Sequence, residues 1–132
     1  MERKAYNPWS WQDRFDFSQA IEVSGAQRTV YCAGQISCDA DGDLLHPGDM
    51  EAQFNTALDN LERVLDLAGG LKLADVVRLD YYVTDVPAFL EAVPKVGMRL
   101  QAAGCKPAST VLGVVSLAQP GCMIGLEATA CA

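Results

Sequence analysis

Glu127 is the side chain in this sequence best placed for acid–base work. It lies inside the run Cys122–Cys131, where Cys122, Ile124, Leu126, Ala128 and Ala130 form one apolar set at a period of two. Met123, Gly125, Glu127 and Thr129 share the opposite face. A carboxylate between apolar strand neighbours is costly unless it is paired or hydrogen-bonded. Facing a cleft, it would titrate high and act as a general acid/base; otherwise it is a structural partner for Arg78 or for backbone amides. Arg78 and Asp80 stand two apart on one strand face, the spacing of an ion pair rather than of a catalytic pair. Asp39-Ala40-Asp41-Gly42-Asp43 resembles the first half of a calcium loop, but the glutamate such a loop needs at its twelfth position falls on Met50. A solvated acidic turn is expected there, and no metal. The five cysteines, Cys32, Cys38, Cys105, Cys122 and Cys131, are odd in number and contain no C-x-x-C pair, and His46 is the one histidine. That pattern points to reduced, buried thiols in a cytoplasmic protein rather than to zinc or a disulfide framework.

Charge narrows the partners further. With 17 acidic and 10 basic side chains the formal net charge is −7, a field that repels phosphate backbones, so no nucleic-acid partner is expected. The opening Met1-Glu2-Arg3-Lys4 runs into polar and aromatic residues instead of an apolar leader, and no run approaches the ~20 apolar residues of a membrane span.

The elements that must carry these residues can be read from periodicity. At 132 residues, half of them hydrophobic, residues 1–132 fit one domain with a single core. Residues 1–18 are dense in aromatics (Tyr6, Trp9, Trp11, Phe15, Phe17), a segment expected to lie on the body of the protein. The runs 20–24 and 28–33, joined by Ser24-Gly25-Ala26-Gln27, read as a hairpin. From Asp49, a plausible N-cap, apolar residues recur at three and four as far as Ala68, and Gly69-Gly70 ends the helix. Val76–Thr84 is a strand with Val77, Leu79, Tyr81 and Val83 on its apolar face. Val86-Pro87 opens a second helix that Pro94 should kink or restart. The runs 110–117 and 122–131 flank Ala118-Gln119-Pro120-Gly121 and read as a C-terminal hairpin, its first strand covered on both faces. The order β-β-α-β-α-β-β predicts an α+β fold, a single sheet with two helices on one face. The uncovered face calls for oligomerisation.

Five stretches together resemble the RidA (YjgF/YER057c/UK114) family across nearly the whole chain. They are Phe17-Ser18-Gln19-Ala20, Cys32-Ala33-Gly34-Gln35-Ile36, Val76–Asp85, Lys106-Pro107-Ala108-Ser109-Thr110 and Leu126-Glu127-Ala128-Thr129-Ala130. The resemblance implies a fold similar to Bacillus chorismate mutase, a homotrimer, small-molecule clefts between subunits, and hydrolysis of reactive enamines and imines such as 2-aminoacrylate without a cofactor. It also implies which positions bind substrate, and at most of them this chain departs from the family. The arginine that grips the substrate carboxylate is Ser109, and the cysteine two residues on is Val111. The glutamate that manages the catalytic water is Gly125, the site tyrosine is Phe17, the serine of Ser-Gly-Gln is Ala33, and the asparagine of the second helix is Val93. Glu127 persists.

A serine hydroxyl offers one neutral donor where a guanidinium offers a charged fork. The sequence therefore points to a less polar pocket for a larger, more aromatic or uncharged ligand, flanked by Phe17 and by Trp9 or Trp11. Two functions compete. One is a divergent enamine, imine or ring-intermediate hydrolase (deaminase) with Glu127 as acid/base; the other is a non-catalytic binding or holdase-like trimer. A ribonuclease would need a basic groove that the sequence lacks.

Overall fold

The computed structural model describes every residue from Met1 to Ala132. Strands β1 (Glu2–Tyr6), β2 (Ala20–Ser24) and β3 (Thr29–Tyr31) precede helix α1 (Met50–Leu67). Strand β4 (Val76–Val83), helix α2 (Val86–Ala102), β5 (Ala108–Gly113) and β6 (Ile124–Cys131) follow. Four strands form a mixed sheet in the order β3-β6-β4-β5, and β1 and β2 form a separate two-stranded ribbon.

Both helices begin on an aspartate. The Asp49 carboxylate accepts from the Ala52 N–H at 3.0 Å, and Asp85 accepts from Ala88 at 3.0 Å, each satisfying one orphan amide of a first turn. Helix α1 ends where expected. Gly69 has φ +89°, and a Cβ there would stand 2.7 Å from Nη1 of Arg28, whose guanidinium donates to the Ala68 carbonyl at 2.8 Å. Helix α2 runs unbroken through Pro94, so of the expected kink or restart the restart does not occur. Pro94 and Leu90 are both exposed, so water can reach the carbonyl that the missing N–H leaves without a partner.

The helices pack on one sheet face, as expected. Leu79, Tyr81 and Val83 of β4 and Ile124, Leu126, Ala128 and Ala130 of β6 meet Phe54, Leu58, Leu61 and Leu65 of α1 and Phe89, Val96 and Leu100 of α2, all buried. A bulge between Val76 and Arg78 makes Val76 the buried residue at the start of β4, where strict alternation had placed Val77.

Neither expected hairpin forms. β2 pairs with β1, Tyr6 opposite Ala20 and Glu2 opposite Ser24, while β3 pairs with β6, Thr29 opposite Cys131. The chain changes sheets at Gln27 and Arg28, whose amides both bond the Ala132 carbonyl. At the other end β4 stands between β5 and β6, parallel to the first and antiparallel to the second. A strand–helix–strand connection through α2 makes β5 parallel to β4, and residues 114–123 then cross the end of β4, with Val114 N–H bonding Val83 and Thr84 N–H bonding Met123. β5 is consequently an edge strand, its last four residues exposed rather than covered on both sides.

The ribbon is almost wholly exposed. Arg3 ties it to the body, donating to the Ala74 carbonyl (2.7 Å), Asp75 Oδ1 (3.1 Å) and the Cys131 carbonyl (2.9 Å). All five cysteines are free thiols. No helix is long and apolar enough to cross a membrane.

Candidate functional site

A cavity of about 260 Å³ opens between α2, the start of β5 and the segment Trp11–Phe17. Ser109 and Val111 reach it because they lie in register with Leu79 and Tyr81, on the helix-facing side of the sheet. The Trp11–Phe17 segment is held across the cavity by the step after it, where Ser18 N–H bonds the Pro107 carbonyl (2.9 Å) and Ser18 Oγ donates to Lys106 (2.9 Å). Trp11 packs edge-on to Phe17 and Phe15 at 5.8 and 6.5 Å between centroids. Phe54, Tyr81 and Phe89 form the floor, their rings 5.2 to 5.7 Å apart, and Leu90, Val93, Gly97 and Leu100 complete the wall.

Polar groups in the cavity are few. Ser109 Oγ donates to the Leu79 carbonyl, so its one proton is already committed. The Tyr81 hydroxyl makes no hydrogen bond within the chain, and burial, with the charges of Cys105 and Asp16 beside it, raises its pKa so that it stays a neutral phenol. Burial first, and the Asp16 charge second, push the adjacent Cys105 thiol up to about 12, which leaves it inert as a nucleophile near neutrality. Asp16 ends the short helical turn in a left-handed conformation (φ 53°) and presents its carboxylate toward Gly97. It has neither an ion pair nor a hydrogen bond. No lysine or arginine lines the cavity.

The sequence-derived positions fall into two groups. Phe17, Val93, Ser109 and Val111 line the cavity together. Ala33, Gly125 and Glu127 lie elsewhere: Glu127 stands opposite Asp80 and Gly125 opposite Tyr82 on the sheet face away from the helices, and Ala33 is exposed just past β3. Within one chain the two groups are separated by the sheet. Glu127 is exposed rather than embedded among its apolar neighbours, and its partner is the Tyr82 hydroxyl at 3.4 Å rather than Arg78. The Glu127 charge is the main reason the Tyr82 phenol titrates high. Arg78 pairs with Asp80, two residues along the same strand, at 3.1 Å, rather than across strands. Gly125 is buried beneath Ile36 and Leu117. Trp9 stacks on Trp11 outside the cavity. The acidic turn closes on itself, with Asp39 Oδ1 accepting from the amides of Asp41 and Asp43.

Sequence reasoning missed Asp16 and Tyr81. Tyr81 falls on the apolar face of its strand by alternation, a pattern that gives no weight to its hydroxyl. Asp16 had a signal: it is a charged residue set between Phe15 and Phe17 in an aromatic-dense segment.

The sequence model of the family described as Endoribonuclease L-PSP matches residues 12–132. This chain belongs to that family, the Rid (YjgF/YER057c/UK114) proteins. The structure is similar to that of a Rid-family protein of unknown function, YyfB from Yersinia pestis, with a TM-score of 0.87 and 38% identity over the full length of both chains. It is also similar to a YjgF/YER057c/UK114 member from Mycobacterium tuberculosis, with a TM-score of 0.62 and 29% identity, covering 99% of this chain and 100% of that one. Among curated sequences, protein DfrA of Myxococcus xanthus is 31% identical over 86% of this chain and 83% of its own length. A RutC family protein of Pyrococcus abyssi is 33% identical over 55% of this chain, and the match spans only about half (54%) of that relative. Within the Rid fold, then, the cavity of this chain combines an apolar lining with one unneutralised carboxylate, and Ser109 occupies its β5 wall.

Proposed function

We propose that this Rid-family chain assembles as a homotrimer and binds a small, largely apolar molecule in the cavity lined by Phe17, Val93, Ser109 and Val111. Hydrolysis of small amino-acid-derived enamines is not its activity. One observation carries the reading: the cavity wall at Ser109 faces aromatic and aliphatic side chains with no cation to receive a carboxylate. A carboxylate ligand would lose its hydration without a charged hydrogen-bond donor and would face Asp16. Trimerisation is supported by what one chain leaves open, since the second sheet face exposes Tyr31 (81%) and Leu112 (41%) beside Glu127 and Tyr82. A neighbouring copy covering that face would bring Ala33, Gly125 and Glu127 into reach of another subunit's cavity.

The exposed Glu127–Tyr82 pair favours a second reading. Delivered to a neighbour's cavity, Glu127 could hold or release the proton when water adds to a carbon–nitrogen double bond.

Release of ammonia and keto acid from enzymatically generated 2-aminoacrylate separates these readings from ordinary family chemistry. Wild type is expected to show little turnover. Ser109→Arg is expected to raise affinity for a small carboxylate about tenfold, the worth of one charged fork. Gly125→Glu alone should add nothing, because it must first displace Leu117 and Ile36. Wild-type turnover at the level of a family member with the complete site would overturn the proposal.

A further inference from the structure

The geometry points to an organic cation, an amine or quaternary ammonium carried on an apolar or aromatic body, as the ligand class of the Trp11–Phe17 cavity. This inference rests on the reading of that cavity as the ligand site and goes further by assigning the sign of the ligand's charge.

Three observations converge. First, the Asp16 carboxylate is half-buried at the cavity wall with no ion pair or hydrogen bond in the chain, and it is the one charged side chain in the lining. A carboxylate with no partner in the chain is free to pair with a ligand cation through a charge-assisted hydrogen bond. Second, the walls around it are rings. Trp11, Phe15 and Phe17 stand on the Asp16 segment itself, and Phe54, Tyr81 and Phe89 form the floor. Ring faces attract ammonium groups, most strongly once water is excluded. Third, the Tyr81 hydroxyl has no partner in the chain, is held protonated by burial, and lines the same space, where its oxygen can accept from an ammonium N–H. The lining holds no lysine or arginine, and the nearby Arg14 guanidinium lies over the Phe15 ring at 5.5 Å, so Asp16 is the one charge in the lining itself. Gly97 keeps the path open, since a Cβ there would lie 3.7 Å from Asp16 Oδ2 and any longer side chain would fill the space in front of the carboxylate.

Calorimetry of the intact protein with four probes tests this: phenyltrimethylammonium, phenethylamine, phenethyl alcohol and phenylacetate. The two cations are expected to bind about tenfold more tightly than the alcohol, and phenylacetate more weakly than the alcohol. Asp16→Asn should bring the cations to within about threefold of the alcohol while leaving the alcohol's affinity unchanged. Gly97→Leu, a substitution that a helix accepts readily, should abolish binding of all of them. If the alcohol binds as tightly as the cations, or if Asp16→Asn leaves their ratio unchanged, the charge assignment is overturned and the cavity reading stands. If none of the four binds, or if Gly97→Leu changes nothing, the cavity is not the ligand site and both readings fall.

Discussion

The two faces of β4 are built from alternate residues of one strand, yet they have opposite chemistry. Leu79, Tyr81 and Val83 turn toward the helices and are buried; Arg78, Asp80 and Tyr82 turn away and stay in partial contact with solvent. On the open side the charges satisfy one another, Arg78 with Asp80 and Glu127 with Tyr82. On the covered side there is little polarity, and the one carboxylate, Asp16, is left alone. Charge is thus dense on the open face and sparse around the cavity. On the proposed reading, a single unpaired charge in an apolar setting marks the site better than the richer polar cluster does.

That contrast can be broken most directly through stability. Phe89→Ala, on the covered face, should cost about 3 to 5 kcal/mol in urea denaturation, because the ring is 3% exposed and its removal leaves a hole against Phe54 and Tyr81. Tyr82→Ala, on the open face, should leave the fold standing and weaken association instead, as read by sedimentation. Comparable unfolding losses at the two positions would show that the faces do not differ in the way described.

Alkaline titration gives a smaller effect. Folded Cys105 keeps its proton up to about 12, whereas an unfolded cysteine releases it near 9.0. Between those values the folded state binds more protons, so stability is intact below about pH 9 and falls as pH rises, by at most about 1.4 kcal/mol per pH unit from this one group. Tyr81, also raised by burial, adds to the loss at the upper end. Cys105→Ala should flatten the slope of the urea midpoint against pH; an unchanged slope would mean that the thiol does not titrate this way. The smallest effect belongs to the open face. Tyr82→Phe removes only a long, solvent-exposed hydrogen bond to Glu127, and its urea midpoint should match that of wild type.

Much of this architecture could be read before any coordinates. Asp49, the three-and-four spacing and Gly69-Gly70 delimit α1 because capping and periodicity are local properties of the chain. β4 was plain for the same reason. Strand pairing was not, since pairing depends on partners far away in sequence. Val86–Ala102 between two strands did carry the information that β5 runs parallel to β4, but the turn residues Ala118–Gly121 suggested a hairpin more loudly. β1 left no trace because both of its faces are exposed, so Glu2-Arg3-Lys4-Ala5-Tyr6 shows no alternation. Of the positions the family resemblance singles out, Phe17, Val93, Ser109 and Val111 line one cavity. The resemblance could not supply Asp16, and it joined Glu127 to the cavity although the sheet divides them within a chain.

The arrangement of β6 has a kinetic consequence. It hydrogen-bonds both β3 and β4, and without it the short Thr29–Tyr31 strand has no neighbour in the sheet. Its partners in β3 lie about a hundred residues back, at Thr29 opposite Cys131. Residues 124–131 must therefore leave the ribosome before the sheet can close. Until then α1 and α2 have no complete surface to pack on, and Val83, Leu79 and Phe54 remain open to water and to other nascent chains. Closure over so long a loop is entropically slow, so refolding is expected on the millisecond-to-second scale of non-local sheets rather than at the speed of helical bundles.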